Sequence, residues 1–539
     1  MIQGRSARGF ARKQVVAAAS ALLLPLSIAP GIAMAQAPGN DAAAPKRVEH
    51  GQPVEAFGGY GGGARIAEPV LPAGVDVFNL TLEETRRYSR SLNFEVVGHS
   101  YFKGPWLSPF AKQHHLGAGF NGVRVYDGIA YLGGYNGPPT LFGTLIADVH
   151  DPQNMKPLAF VPCKPGTRCV YVRVNTKRHI LVGAHDKSKD DPVQPPAGQP
   201  AQAGVSFTDI SDPSKPKELG FIETEPDGAT HGFDIDDRYA YVCATTPKSK
   251  KNPGKGFFQN HELVIIDYQD PTHPVQVGNF HIPGQEMGET YGPSDAGANS
   301  DGTPQMIWCH EVFYDKDKLY VAYRDAGMVV LDVKDRAHPK QISRLDYVPP
   351  YSGQNFGAAH SSIPVLPTPD AVPKLVINTD ELFGCPPGFG RVMDISDLGY
   401  PQVISTFRIP HVSDGYNFTS QQFDCPAGGS LTSHLPWQSY KSASLFFITW
   451  YNEGMRAFDF SNPYEPREIG YYYSPPYVCG EFTKSCGGGV FTPVFRHSRE
   501  EFQDPTTGLI YMTDGNGGGL TVLRWTGPIP PNPPLPGAR

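Results

Sequence analysis

The chain has 539 residues, with 46 Lys and Arg against 53 Asp and Glu, for a formal net charge of −7. That balance does not favour nucleic acid or an anionic membrane surface as a partner. Glycine (59) and proline (54) are abundant, a composition suited to many short strands joined by turns.

Residues 1–35 read as an export signal. Arg5, Arg8, Arg12 and Lys13 precede an apolar stretch from Val15 to about Ile32, and Ala33-Met34-Ala35 forms a small-x-small cleavage site. Pro25 and Pro30 interrupt the stretch and argue against a membrane anchor. No later run approaches the roughly 18 apolar residues of a span. The mature chain is therefore expected to begin near Gln36 and to be periplasmic or secreted. Residues 36–91 form a partly disordered arm that includes the glycine-rich GGYGGGAR (58–65). Residues 528–539 are a proline-rich tail.

Between these ends one phrase recurs: an apolar strand ending in Asp, a turn, a proline and another strand. It reads TLIADVHDPQNMKP (144–157), GVSFTDISDPSKP (204–216), ELVIIDYQDPTHP (262–274), GMVVLDVKDRAHP (327–339), GRVMDISDLGYP (390–401) and GMRAFDFSNPYEP (454–466). A degenerate seventh copy is GLTVLRWTG (519–527). The Asp side chain caps the turn and Pro sets the start of the next strand. Upstream of each phrase lies a strand pair, as in GVRVYDGIAYLGG (122–134), GFDIDDRYAYVCA (232–244) and EVFYDKDKLYVAY (311–323). Four antiparallel strands per unit, repeated, predict an all-β, seven-bladed β-propeller over 92–527. The last copy lacks a fourth strand, and LNFEVVGHSYF (92–102) lacks partners, so the N-terminal strand is expected to close the last blade. The phrase resembles the LVIVD repeat of exported and cell-surface bacterial propellers. That resemblance implies the fold and no single reaction.

All eight cysteines follow the signal. Cys163/Cys169, Cys243/Cys309, Cys385/Cys425 and Cys479/Cys486 are the expected bridges, tying long loops on one face. No C-x-x-C pair favours a thiolate metal site.

Five histidines sit at or just before the first strands of blades 3 to 7: His231, His310, His360, His434 and His497. His231 and His310 share one spacing to the second-strand tyrosine; the other three have looser registers. In blades 1 and 2 the aligned positions are Asn121 and about Val170. First strands of a propeller converge on its axis, so these imidazoles predict a metal site, with iron or copper favoured and manganese or calcium as alternatives. Acids near second-strand ends, among them Asp186, Asp380 and Glu381, read as loop-initiating residues. Glu311 is expected to hold a ligand imidazole from behind. Arg324 and Arg496 are candidates for an anionic group, with Glu311 and Arg324 as the candidate catalytic pair. Trp308, Trp437 and Tyr451 are candidate aromatic walls, beside Phe233 and Trp450.

These residues predict a metal-dependent oxidoreductase or oxygenase acting on an apolar or aromatic small molecule. A metal-dependent lyase on an acidic sugar and a non-enzymatic surface scaffold are the alternatives. No G-x-S-x-G elbow or phosphate-cradling G-x-x-x-x-G-K-[ST] loop is present.

Overall fold

The computed structural model describes residues 71, 72, 74–135, 140–188, 191–249, 260–293, 295, 296, 305–346, 359–382, 387–409, 416, 417, 422, 423, 432–476 and 498–533. The expected signal, Cys385, Cys425, Cys479, Cys486, Arg496 and His497 lie outside these residues.

Seven antiparallel sheets follow one another as the repeats predict. The first strands of blades 1 to 7 are Phe120–Tyr126, Val172–Asn175, Thr230–Ile235, Glu311–Asp315, Ala359–Pro364, Ser433–Gln438 and Ser498–Gln503. The Asp that ends each third strand works as the sequence implies. Asp148, Asp209, Asp267, Asp332, Asp394 and Asp459 each accept a hydrogen bond from the backbone N–H two residues on. The short polar side chain closes the turn that an apolar strand end would leave open. A register shift lies just before that Asp in the pairing of each third and fourth strand of blades 1 to 6.

The ring closes through the N-terminus. Phe94–Ser100 pairs with Gly519–Trp525 as the fourth strand of blade 7. Phe94 packs edge-on against Trp525, with ring centroids 4.9 Å apart, and Phe447 of blade 6 touches both. The residues just before it are structured. Arg90–Leu92 adds a fifth strand to blade 6, and Leu82–Tyr88 is a helix with a Thr81–Glu84 capping box. The T-x-x-E spacing carried that signal.

Apolar residues of neighbouring blades pack face to face. One cluster, for example, joins Leu263 and Ile265 of blade 3 to Val321, Val329 and Leu331 of blade 4. Cys163–Cys169 and Cys243–Cys309 are disulfides. The second links the end of the second strand of blade 3 (Tyr239–Ala244) to the residue before His310. No helix among the described residues is long and apolar enough to cross a membrane.

Trp525→Ala removes the ring that seals blades 6 and 7. It is expected to cost about 3–5 kcal/mol of stability, read as a lowered denaturation midpoint with the slope unchanged. A second expectation concerns acid. His99, on the closing strand, binds Thr521 through Nδ1, and burial pushes its pKa down to about 4. The unfolded ring titrates near ~6.5, so between those values the unfolded chain binds more protons. Stability is full above that window and falls as pH drops through it. Melting curves of His99→Gln between pH 7 and 4 should show a smaller acid-induced loss than the parent chain.

Candidate metal centre at the upper pole

The first strands decide which side chains meet. Counting from the pairing with the second strands, one position per blade is occupied by Asn121, Val170, His231, His310, His360, His434 and Arg499. His360 and His434 thus share the register of His231 and His310, although their sequence contexts look looser. In blade 7 the position belongs to Arg499, two residues after His497. Three residues further along each strand lies a second level: Arg124, Arg173, Asp234, Phe313, Ile363, Trp437 and Phe502. In five blades a register shift separates the two levels.

At the upper level four buried imidazoles form an arc. Ring centroids are 4.8 Å apart for His231 and His310, 4.2 Å for His310 and His360, and 4.1 Å for His360 and His434. Tyr171 closes one end, 5.0 Å from His231, and Tyr451 the other, 5.0 Å from His434. Each histidine is anchored through Nδ1. His231 binds the Asp186 carboxylate at 2.8 Å, and His310 binds the His360 carbonyl at 3.2 Å. His360 binds Ser361 Oγ at 2.7 Å, and His434 binds the Arg499 carbonyl. A carbonyl or carboxylate acceptor places the proton on Nδ1 and leaves Nε2 as the basic nitrogen. Nε2 of His360 has no hydrogen-bond partner among the described residues.

Glu381 completes the group. Its Oε2 lies 3.7 Å from His360 Nε2 and 3.9 Å from His310 Nε2, and 2.8 Å from Arg324 Nη2. Tyr451 and Arg499 approach its Oε1. His310, His360 and Glu381 offer three ligand atoms all within 4.8 Å of one another. Burial holds the His310, His360 and His434 pKa values well below the usual range, helped by Arg324 at His310, by Arg324 and Arg499 at His360, and by Arg499 at His434. Burial alone would raise Glu381, but the Arg324 and Arg499 guanidinium groups bring it down to about 2. Neutral imidazoles beside an ionised carboxylate are the protonation states that metal ligation requires.

Among the expected site residues, Arg324 and Trp308 stand together. The guanidinium lies over the indole, 4.7 Å from its centroid. Arg324 Nε and Nη1 have no hydrogen-bond partner among the described residues, although the side chain is only 2% exposed. Glu311 does not hold an imidazole. Strand alternation turns it away from His310, and it binds Arg173 at 3.0 Å. Burial outweighs that arginine and pushes its pKa to about 8. Trp437 belongs to the lower level, against Phe502 and Arg124. There, with Arg173, Asp234 and Phe313, it lines a separate cavity of about 250 Å³. Phe233 and Trp450 are core residues. Acids read as loop-initiating, Asp186 and Glu381, are instead the ones facing the histidines. Arg499, Tyr171 and His261, whose ring centroid is 6.0 Å from that of His231, carried no repeat-wide signal.

Residues 258–281 and 317–346 match the LVIVD repeat family model, so the chain is a propeller carrying LVIVD repeats. No curated protein matches the chain in sequence. Similar solved structures include Saccharomyces cerevisiae Sqt1, at 9% identity and TM-score 0.43, covering 76% of this chain and 96% of that one. A Lactobacillus plantarum protein is 11% identical with TM-score 0.39, covering 66% and 88%. The Pseudomonas aeruginosa periplasmic gluconolactonase PpgL is 10% identical with TM-score 0.36, covering 54% and 69%.

Gly232 lets blades 3 and 4 approach closely beside the arc. A Cβ on Gly232 would fall 2.1 Å from the His310 carbonyl oxygen and 2.6 Å from Glu311 Oε2. Gly232→Ala is therefore expected to push blade 4 from blade 3 and cost about 1–3 kcal/mol, measured by thermal or denaturant unfolding.

Proposed function

We propose that the upper pole is the metal centre of an exported oxidoreductase, with iron or copper held by His310, His360 and Glu381 and flanked by His231 and His434. The observation that carries this reading is the anchoring of the four imidazoles through Nδ1, with a carboxylate set between two of them. Two histidines and one carboxylate leave coordination positions open and suit iron(II) oxygen chemistry, whereas added imidazoles suit copper. When bound, the metal would supply Lewis-acid and redox chemistry.

The chain's own residues orient and enclose. Asp186 holds His231, backbone carbonyls hold His310 and His434, and Arg324 holds Glu381. The remaining Arg324 nitrogens would bind a polar oxygen of the substrate, while Trp308, Tyr171 and Tyr451 give aromatic walls to an apolar or aromatic body. Export agrees with the two disulfides. A second reading has its own support: the buried guanidinium groups Arg168, Arg324 and Arg499 suit a metal-dependent lyase acting on an acidic sugar.

Metal analysis of the mature protein separates these readings. Stoichiometric iron or copper, lost in His310→Ala and His360→Ala, is the expected result. Manganese or calcium with turnover of an acidic glycan would favour the lyase. A chain free of metal whose His360→Ala variant behaves as the parent would overturn both.

A further inference from the structure

A second set of metal-type ligands lies on blade 3 and shares no residue with the polar arc. Glu262 opens the third strand (Glu262–Asp267), His281 follows the fourth (Val275–Phe280), and Glu286 lies in the turn beyond it. One ligand atom from each lies within 4.8 Å of the other two. Glu262 is fully buried. Among the described residues its carboxylate accepts from neutral donors: Ser249 Oγ at 2.7 Å, Thr246 Oγ1 at 3.2 Å and Asn279 Nδ2 at 3.4 Å. Among the described residues no lysine or arginine pairs with it. The ammonium of exposed Lys248 lies 3.9 Å from Glu286. A buried carboxylate facing a second carboxylate is costly unless a cation offsets the two.

The histidine adds an independent sign. His281 Nε2 binds Glu289 at 3.1 Å, while Nδ1 lies 3.6 Å from Glu286, beyond hydrogen-bond reach. Glu289 is itself fixed by the backbone N–H groups of Gly284 and Glu286. A carboxylate on one ring nitrogen turns the other towards the cluster, which is how metal-bound imidazoles are oriented. The surrounding loops are already cross-tied: Ser249 bridges to Glu286, and Met287 N–H donates to the Lys248 carbonyl.

We infer that Glu262, His281 and Glu286 bind a divalent cation of the zinc class. One imidazole and two carboxylates fit zinc, whereas calcium and magnesium take all-oxygen shells. The cation neutralises Glu262 and staples the turn at 282–289 to the Thr246–Ser249 loop. That turn reaches the metal centre's rim, because Gln285 Nε2 donates to the carbonyls of His261 and Ile307.

Zinc titration of metal-stripped full-length protein, followed by calorimetry and melting temperature, tests this. It is run on the parent and on His310→Ala/His360→Ala, which removes the polar ligands. Both chains should take up zinc with a rise in Tm. Adding Glu286→Gln or His281→Gln, both at partly exposed positions, should weaken that uptake more than tenfold and abolish the rise. No uptake by the double variant, or uptake unchanged by either substitution, overturns the inference. Should the double variant not fold, the same two substitutions in the parent must remove one zinc equivalent, and failure to do so is equally decisive. Loss or survival of the polar metal is read separately, from the difference between the parent and the double variant.

Discussion

Convergence of seven first strands on one axis is the constraint from which the rest of the molecule follows. Each blade contributes one residue to each level, so residues far apart in sequence become neighbours around a ring. His231 and His434 are 203 positions apart, yet only two imidazoles lie between them in the arc. The register shift in most first strands lets two levels three residues apart face the same axis, although simple alternation would send them to opposite sides. The polar arc and the lower cavity are products of that one local irregularity.

Ring closure keeps those levels in place. An open array of blades would leave an unpaired edge and let the inner strands drift. Pairing Phe94–Ser100 with Gly519–Trp525 removes the edge and joins the chain ends in one sheet. The Cys243–Cys309 bridge adds a covalent tie between blades 3 and 4, beside the two best-aligned histidines. Rigidity matters at this pole because buried imidazoles, carboxylates and guanidinium groups stay satisfied only in a fixed arrangement.

The pole's electrostatics follow from burial. Three imidazoles kept neutral, His310, His360 and His434, share the pole with an ionised Glu381, and buried arginines balance the carboxylates. The same low-dielectric surroundings have the opposite result one strand position away. Glu311 has Arg173 as its partner and is still pushed up to about 8. Two carboxylates near one axis thus hold opposite protonation preferences, set by which cations each can reach.

Much of this was legible in the sequence because its causes are local. Alternation of apolar residues, the turn-closing Asp and the following Pro specify strands and turns within a dozen residues, and their repetition specifies blades and their number. The unpartnered segment at 92–102 declared the closure. Four of the five singled-out histidines meet at one pole, since a register shared with the second strand is also local. Only tertiary structure decided the rest. That Arg499 occupies the ring position in blade 7, that Asp186 and Glu381 turn towards imidazoles of neighbouring blades, and that Glu311 and Trp437 serve the lower level all depend on contacts between blades. Those contacts are set by the angle at which one sheet packs on the next, and no single repeat encodes that angle.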